Sequence, residues 1–520
     1  MAFLRGFLEG VLEESHLLGF QLEPAQSAEM LFLHGPLFYL TVFTLAAVVL
    51  SSLARAPIEK TARAALAFSP IILVAPVVDG LLSPQGMRLH YFSDVAATGR
   101  GLLLTFWPGA SVAGVSPGMR VEVLLACLAG ALYARAKRGG FVRPVAGFVG
   151  VYLVAALAGS LPALLTLAVR GNVAESTLFT SGGLVFSETS KYALVQLPVA
   201  AVGMWLCYAR YRRGDLLRVL PVRRPLRALF YVFVTAFGLI LGAASLRQYY
   251  AGFLVDPFVY LAGFATLAAV LFLFQFQVIV NDYFDREIDR VSGKRTYFSH
   301  GDFGASEIAF IGLVTLILSL VCAAAAGYAA LLILLAAHLV GLAYSVPPLR
   351  LKRFFILNTL ALAFGVLLVA CLGFALFAGR HSLSAFPRGV AGAMIVGFTV
   401  ALGIKDVGDY EGDRQGGVRT VMTVLGPRCG KRLLAAAMLV MYVAVPFLAR
   451  YPLLALVCIP CGVASALGVL GRIGDQGSQV GQRGQRWGER AIFIAFYVFA
   501  ATIMILVWTG RILVSGVTGT

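Results

Sequence analysis

The chain has 520 residues, of which 59% are hydrophobic and 13% are charged, and its formal net charge is +17. A mean hydropathy of +0.86 excludes a soluble globular protein and is typical of an integral membrane protein. The excess of Lys and Arg is explained by contact with the anionic lipid of a bilayer, so we expect no nucleic-acid partner.

Apolar runs of the length that crosses a bilayer recur along the whole chain. They predict an all-α fold, a polytopic membrane helix bundle of about 14 transmembrane helices. The predicted spans are 35–53, 65–83, 121–135, 146–168, 191–208, 227–247, 257–280, 306–326, 329–345, 356–378, 388–405, 432–449, 452–470 and 491–513.

An Arg-rich connector at 208–227 is the strongest break in composition along the chain. About five predicted helices precede it and about nine follow it, which predicts two domains, 1–226 and 227–520. The first is a membrane domain of unknown role, because it contains no group of residues to which we can assign a chemistry.

Lys and Arg cluster in alternate loops, at 55–63, 135–143, 209–227, 350–353 and 471–490. By the positive-inside rule these loops face the cytoplasm. We therefore expect a protein of the cell (inner) membrane with both termini outside.

Two short strings, NDYFDREIDR (281–290) and KDVGDYEGDRQGG (405–417), hold eight of the 25 acidic residues. Within each string the Asp residues follow at steps of three and four, which places them on one face of a helix. They are Asp282, Asp285 and Asp289 in the first string, and Asp406, Asp409 and Asp413 in the second. The shared order of acids predicts two helical hairpins that face one site at the cytoplasmic side.

Like charges on one helical face repel each other, and a divalent cation removes that repulsion. Together with Asn281, the six Asp residues offer only oxygen ligands, a donor set that suits Mg²⁺ or Mn²⁺ rather than zinc or copper. A pair of Mg²⁺ ions, with Mn²⁺ as the alternative, is the predicted cofactor.

Basic residues that can neutralise a phosphate lie at the same predicted membrane face. They are Arg350, Lys352 and Arg353 in YSVPPLRLKR (344–353), Lys405 and Arg414 beside the second acidic string, and Lys294 and Arg295 after the first. Phosphate oxygens held between metal ions and such cations are typical of phosphoryl-binding enzymes. With an apolar bundle beneath it, this clamp predicts a substrate with a diphosphate head and a lipid tail.

These residues also carry a resemblance to a known family. Residues of about 227–513 resemble the UbiA superfamily of intramembrane aromatic prenyltransferases, which uses nine helices. NDYFDREID matches its first signature, N-D-x-x-D-x-x-x-D, and DVGDYEGDRQGGVRT matches its second, D-x-x-x-D followed by Gly and Thr. YSVPPLRLK resembles the Tyr/Lys loop of the family, which makes the three motifs together specific.

The resemblance implies loss of diphosphate from a polyprenyl donor, assisted by Mg²⁺, and capture of the allylic cation by a small acceptor: an aromatic ring, a tetrapyrrole or a sugar phosphate. It implies that one Mg²⁺ is bound by Asn281, Asp282, Asp285 and Asp289, and the other by Asp409 and Asp413 with support from Asp406. It assigns the diphosphate to Arg350, Lys352, Arg295, Lys405 and Arg414. The implied catalytic residues are Asp285, Asp409, Lys352 and Tyr344, the last beside the prenyl cation.

The chain departs from the family pattern at two places. Thr296 follows Arg295 where the family usually has Pro, and Lys352 lies eight residues beyond Tyr344 rather than four. Two alternatives stay open: a UbiA-type terpene cyclase that needs no acceptor, and a non-enzymatic cation or lipid carrier. A carrier site usually lies near the bilayer midplane, whereas both acidic strings lie at predicted helix ends.

Overall fold

The computed structural model describes residues 1–12, 33–82, 95–107, 115–137, 140–170, 176–179, 186, 188–211, 224–247, 256–286, 304–378, 383–471 and 479–512. The regular elements in these ranges are all helical. Fourteen of the described helices are long and apolar enough to cross a bilayer, which confirms the predicted membrane bundle. The chain forms two compact units, Met1–Pro221 and Val222–Thr520.

The first unit contains five of the fourteen candidate spans. Its helices are α1 (Ala2–Leu12), α2 (Gly35–Ala54), α3 (Ile58–Phe68), α4 (Val74–Leu82), α5 (Val95–Leu104), α6 (Pro117–Lys137), α7 (Val142–Arg170), α8 (Ser176–Phe179) and α9 (Glu188–Tyr211). A 3-10 turn, Ser69–Leu73, joins α3 to α4 in one span.

Ionisable side chains inside the first unit are paired. The buried Asp79 carboxylate accepts hydrogen bonds from the Gly118 amide at 2.7 Å and from the Ser116 hydroxyl. The Arg5 guanidinium forms an ion pair with Glu122. Because an unpaired charge at membrane depth is costly, these contacts stabilise the unit.

The second unit contains the other nine candidate spans. Its helices are α10 (Pro225–Arg247), α11 (Pro257–Phe284), α12 (Ala305–Ala326), α13 (Tyr328–Ser345), α14 (Leu357–Ala378), α15 (Arg388–Ala401), α16 (Lys405–Gln415), α17 (Val421–Leu425), α18 (Pro427–Leu448), α19 (Ala455–Leu470) and α20 (Gln479–Trp508).

Sequence signals fix where α11 begins and ends. Asp256 caps its first turn by accepting a hydrogen bond from the Phe258 amide at 2.9 Å, and Pro257 suits the first helical position. The helix ends at Phe284, and Asp285 is its C-cap. The first acidic string is therefore not one continuous helix as predicted, because the chain leaves helical geometry at Asp285; Asp289 lies outside the described residues.

Helices α10 and α14 pack with almost no space between their backbones. A Cβ atom at Gly238 would collide with the Ala370 carbonyl oxygen, and one at Gly373 would collide with the Thr235 carbonyl oxygen. Small residues let membrane helices approach this closely. This contact fixes the start of α14 beside the start of α10, and both starts carry residues of the site described below.

We expect Gly238→Ala to destabilise the protein by about 2 kcal/mol, because the added methyl group forces α10 away from α14. Gly263→Ala is the matched control, since a Cβ atom there meets nothing within 4 Å and the loss of a helical glycine stabilises by about 0.5 kcal/mol. Thermal unfolding of both variants in detergent measures the difference. Equal melting temperatures would contradict the packing described here.

Candidate functional site

The first acidic string begins with a carboxylate that is buried and paired. Asp282, near the end of α11, is only 1% exposed. Its Oδ1 accepts a hydrogen bond from Arg224 Nη2 at 3.1 Å, and this contact joins the end of α11 to the residue before α10. Asp282 therefore has a cationic partner at a position where water cannot solvate its charge.

Asp285 forms a second group of contacts, in which one carboxylate meets two cations. Its Oδ1 accepts hydrogen bonds from Arg350 Nη2 at 3.2 Å and from Lys352 Nζ. Lys352 Nζ also lies 3.5 Å from Asn281 Oδ1, one helical turn before Asp285. All three side chains of the ion pairs are at most 16% exposed, so two cations hold one carboxylate in a site shielded from solvent.

The connection between α13 and α14 places these two cations. Arg350 has a left-handed backbone (φ 37°), and its amide donates to the Val346 carbonyl at 3.0 Å. A 3-10 turn, Leu351–Arg353, follows at once. The sharp bend turns the chain back toward α11, and this direction brings Arg350 and Lys352 to Asp285.

The second acidic string follows α15 through a 3-10 turn, Leu402–Ile404, and forms α16. Asp406 is 1% exposed. Its Oδ1 accepts a hydrogen bond from Lys405 Nζ at 2.6 Å, and its Oδ2 accepts a longer one from Asn358 Nδ2 at 3.4 Å. The string is thereby attached to the first turn of α14.

The end of α13 and the connection after it contact both strings. Ser345 donates a hydrogen bond to Asn281 Oδ1 at 3.2 Å. Its neighbour Tyr344 lies near Asp285 and Asp406, and Lys405 Nζ lies 5.8 Å from the centroid of the Tyr344 ring. The ends of α11, α13 and α15 therefore meet the starts of α10 and α14 at one end of the unit.

The structure describes most of the predicted site residues. Asn281, Asp282, Asp285, Tyr344, Arg350, Lys352, Lys405 and Asp406 belong to the contacts above. Asp413 and Arg414 lie in the last turns of α16, half-buried and exposed respectively. Asp409 lies one turn earlier in α16, but its side chain is outside the described set, and Asp289 and Arg295 are outside the described residues altogether.

No group of three or more His, Cys, Asp or Glu side chains in the described part of the chain could by itself hold a metal ion. Among the described side chains, the carboxylates of Asp282, Asp285 and Asp406 are each paired with Arg or Lys. The donor set is nevertheless that of a hard cation, because Asn281, Asp282 and Asp285 present only oxygen atoms.

Sequence reasoning missed three residues of this site. Arg224 was assigned to the membrane-facing charge of the connector, yet it pairs with Asp282. Asn358 and Ser345 were assigned to apolar spans, yet they bond to Asp406 and Asn281. The available signal was a polar side chain at the end of an apolar span, which is costly there unless it has a partner.

Part of the chain is similar to known proteins. Residues 249–497 match the model of the UbiA prenyltransferase family. A homogentisate phytyltransferase from Synechocystis is 35% identical over 152 residues, which is 28% of this chain and 49% of the relative. A digeranylgeranylglyceryl phosphate synthase from Ignicoccus hospitalis is 32% identical over 186 residues, which is 32% of this chain and 57% of the relative.

A homogentisate geranylgeranyltransferase from Hordeum vulgare is 28% identical over 245 residues, 44% of this chain and 58% of the relative. The chain thus spans about half the length of the relatives it matches. Among solved structures, a UbiA homologue from Archaeoglobus fulgidus bound to GPP and Mg²⁺ has 18% sequence identity and a TM-score of 0.38. That alignment covers 55% of this chain and 99% of the other.

We expect Asp285→Asn to lower the melting temperature in EDTA, because Lys352 and Arg350 lose their shared counter-charge inside a shielded site. The double variant Asp285→Asn/Lys352→Gln should lose less stability than the sum of the losses in the two single variants, with a coupling free energy of about 2 kcal/mol. Glu489→Gln is the control: Glu489 pairs with Arg227 at 3.7 Å on an exposed surface, and such pairs contribute less than about 1 kcal/mol. Additive effects of the two substitutions would show that the ion pair is not formed.

Proposed function

We propose that the protein transfers a prenyl group from a prenyl diphosphate to a small acceptor in the membrane, as a member of the UbiA prenyltransferase family, whose model matches residues 249–497. The observation that carries this proposal is the cluster at the end of α11. There Asn281 and Asp285 offer oxygen ligands to a metal ion, while Arg350 and Lys352 offer cations to a phosphate.

Mg²⁺ is the metal that these residues fit. Asn281, Asp282 and Asp285 would hold one ion, with Asp289 as a further ligand, and Asp409 and Asp413 would hold a second with Asp406 in support. Mn²⁺ is the alternative ion for the same oxygen donors. When bound, the metal supplies positive charge to the diphosphate leaving group.

Arg350 and Lys352 have two roles in this proposal. Without substrate they neutralise Asp285, and the carboxylate keeps them inside the site. With substrate and metal bound, Asp285 would serve as an oxygen ligand of the metal, and Arg350 and Lys352 would bind the phosphate oxygens. The site therefore exchanges one set of ion pairs for another without exposing an unpaired charge.

An aromatic surface near Tyr344 suits the prenyl chain. Tyr231 on α10 lies near Tyr344, and the centroid of its ring lies 5.3 Å from that of Phe274 on α11. Aromatic faces stabilise a nearby positive charge and provide apolar contact area. We assign Tyr344 to the contact with the reacting carbon of the prenyl group. Tyr231 and Phe274 would line the prenyl-binding site beside it.

The acceptor is proposed from the relatives. Two of them are named for transfer to homogentisate, an aromatic acceptor, and one for synthesis of a glyceryl phosphate lipid. We propose an aromatic acceptor as the first to be tested, with a tetrapyrrole or a sugar phosphate next. The clustered Lys and Arg residues support a site on the cytoplasmic side of the cell membrane.

The direct experiment is incubation of the purified full chain with Mg²⁺ and labelled prenyl diphosphate, with and without homogentisate. Diphosphate release that requires the acceptor, together with a prenylated product, supports the proposal. Release without an acceptor would indicate a terpene cyclase, and the absence of release in every condition would indicate a carrier.

We expect Asp285→Ala and Asp409→Ala each to reduce turnover by at least about a thousandfold, because each removes a metal ligand that acts on the leaving group. Chelation of the metal with EDTA should stop the reaction, and added Mg²⁺ should restore it. Asp256→Asn is the control: Asp256 caps the other end of α11, about 42 Å away for 28 residues at 1.5 Å each. Turnover retained in either alanine variant would refute the metal assignment.

A further inference from the structure

The connection between α13 and α14 has an unusually apolar exposed surface. Leu349, Phe354, Phe355 and Ile356 are exposed to 58%, 53%, 40% and 53%. All four lie between the candidate spans Tyr328–Ser345 and Leu357–Phe377 rather than within them. Their side chains are therefore at the level where a bilayer changes from hydrocarbon to headgroups.

A second segment extends this surface. The Arg419 amide donates a hydrogen bond to the Arg353 carbonyl at 3.3 Å, which joins the segment after α16 to the connection. Val424 and Leu425, on the short helix α17, are 52% and 46% exposed. Residues 349–356 and 419–425 together form what we call the headgroup surface.

The headgroup surface carries two arginine side chains that make none of the site contacts described above. Arg353 and Arg419 are both exposed. In the part of the chain that the structure describes, neither guanidinium takes part in a hydrogen bond or an ion pair. Because their backbones are hydrogen bonded to each other, the two arginine side chains begin at neighbouring points on the protein surface.

The apolar residues are presented by a fixed turn. Ile356 has a left-handed backbone (φ 64°), which a β-branched residue rarely adopts. The Leu357 amide donates to the Phe355 carbonyl at 2.8 Å across it, which closes a three-residue turn. The Asn358 amide donates to the Phe354 carbonyl at 3.1 Å, so Phe354 and Phe355 are held at the surface by the start of α14.

We propose that the headgroup surface binds the phosphate groups of anionic phospholipids in the leaflet that the site faces. Exposed apolar residues beside cations are typical of protein surfaces that enter a membrane interface. Guanidinium groups bind phosphate in a bidentate manner, and an anionic leaflet attracts them electrostatically. The charges on the surface and on the leaflet are therefore complementary.

The same 3-10 turn connects this surface to the site. Arg353 is exposed, whereas its neighbour Lys352 is 7% exposed and pairs with Asp285. A lipid phosphate on Arg353 fixes the outer side of the turn and so holds Lys352 in place on the inner side. This coupling rests on the proposed function, whereas lipid binding itself does not.

Native mass spectrometry of the full chain in detergent tests the binding. Titration with phosphatidylglycerol and with phosphatidylcholine of the same acyl chains gives the apparent affinity for the first bound lipid. We expect Arg353→Gln/Arg419→Gln to weaken phosphatidylglycerol binding roughly 25-fold, at about fivefold for each arginine near an anionic headgroup, without a change for phosphatidylcholine. Arg388→Gln/Arg450→Gln, at the other ends of the spans, is the matched control. An unchanged preference for phosphatidylglycerol in Arg353→Gln/Arg419→Gln would overturn the proposal. An equal loss of phosphatidylglycerol affinity in the control would overturn it as well.

Prenyl transfer in nanodiscs separates lipid binding from donor binding. Phosphatidylglycerol should raise turnover of the wild type and should have no effect on Arg353→Gln/Arg419→Gln. If these arginines bind the donor diphosphate instead, the variant will show a raised KM for the donor in pure phosphatidylcholine as well, which would overturn the proposal. Absence of turnover in every membrane would reject the proposed function and leave the mass-spectrometric result to decide on the lipid.

Discussion

The ion pairs of Asp285 with Lys352 and Arg350 are the interaction on which the site depends. A carboxylate with little access to water needs a compensating charge, and here it has two. Those cations lie on a bent connection, so the same contact that neutralises Asp285 also sets the path of the chain from α13 to α14. The same charges therefore determine both the structure of the site and its chemistry.

The packing of the bundle brings the charged segments together. Gly238 and Gly373 let α10 and α14 approach to backbone contact, and the starts of these helices carry Arg224 and Asn358. Each of those two residues bonds to a different acidic string. A close helix contact in the apolar interior therefore determines where two polar contacts form at the end of the bundle.

The helical architecture could be predicted from the sequence because few structures can span a bilayer. A span must satisfy its backbone internally and must be apolar, so composition alone locates it. The local part of the site could be read for a similar reason: the acids at 282 and 285 belong to one short string whose charges repel without a partner.

The contacts between residues far apart in the sequence could not be predicted from the sequence. Arg224 meets Asp282 across 58 residues of chain, and nothing in the sequence of the connector distinguishes it from the neighbouring arginines. The end of α11 at Phe284 was also unpredicted, since helical spacing continues through Asp285 and Asp289. Asp285, the C-cap of α11, is paired with Arg350 and Lys352, and helical spacing within the string gives no information about those partners.

The central claim is that both acidic strings act on one diphosphate, and binding of a non-reactive prenyl thiolodiphosphate tests it most directly. Isothermal titration calorimetry in the presence of Mg²⁺ would give Kd for the wild type, Asp285→Asn, Asp409→Asn and the double variant. We predict that each single variant weakens binding and that the double variant is no weaker than the weaker single one, because both residues serve one site. Independent, additive losses, or full affinity in either single variant, would contradict the claim.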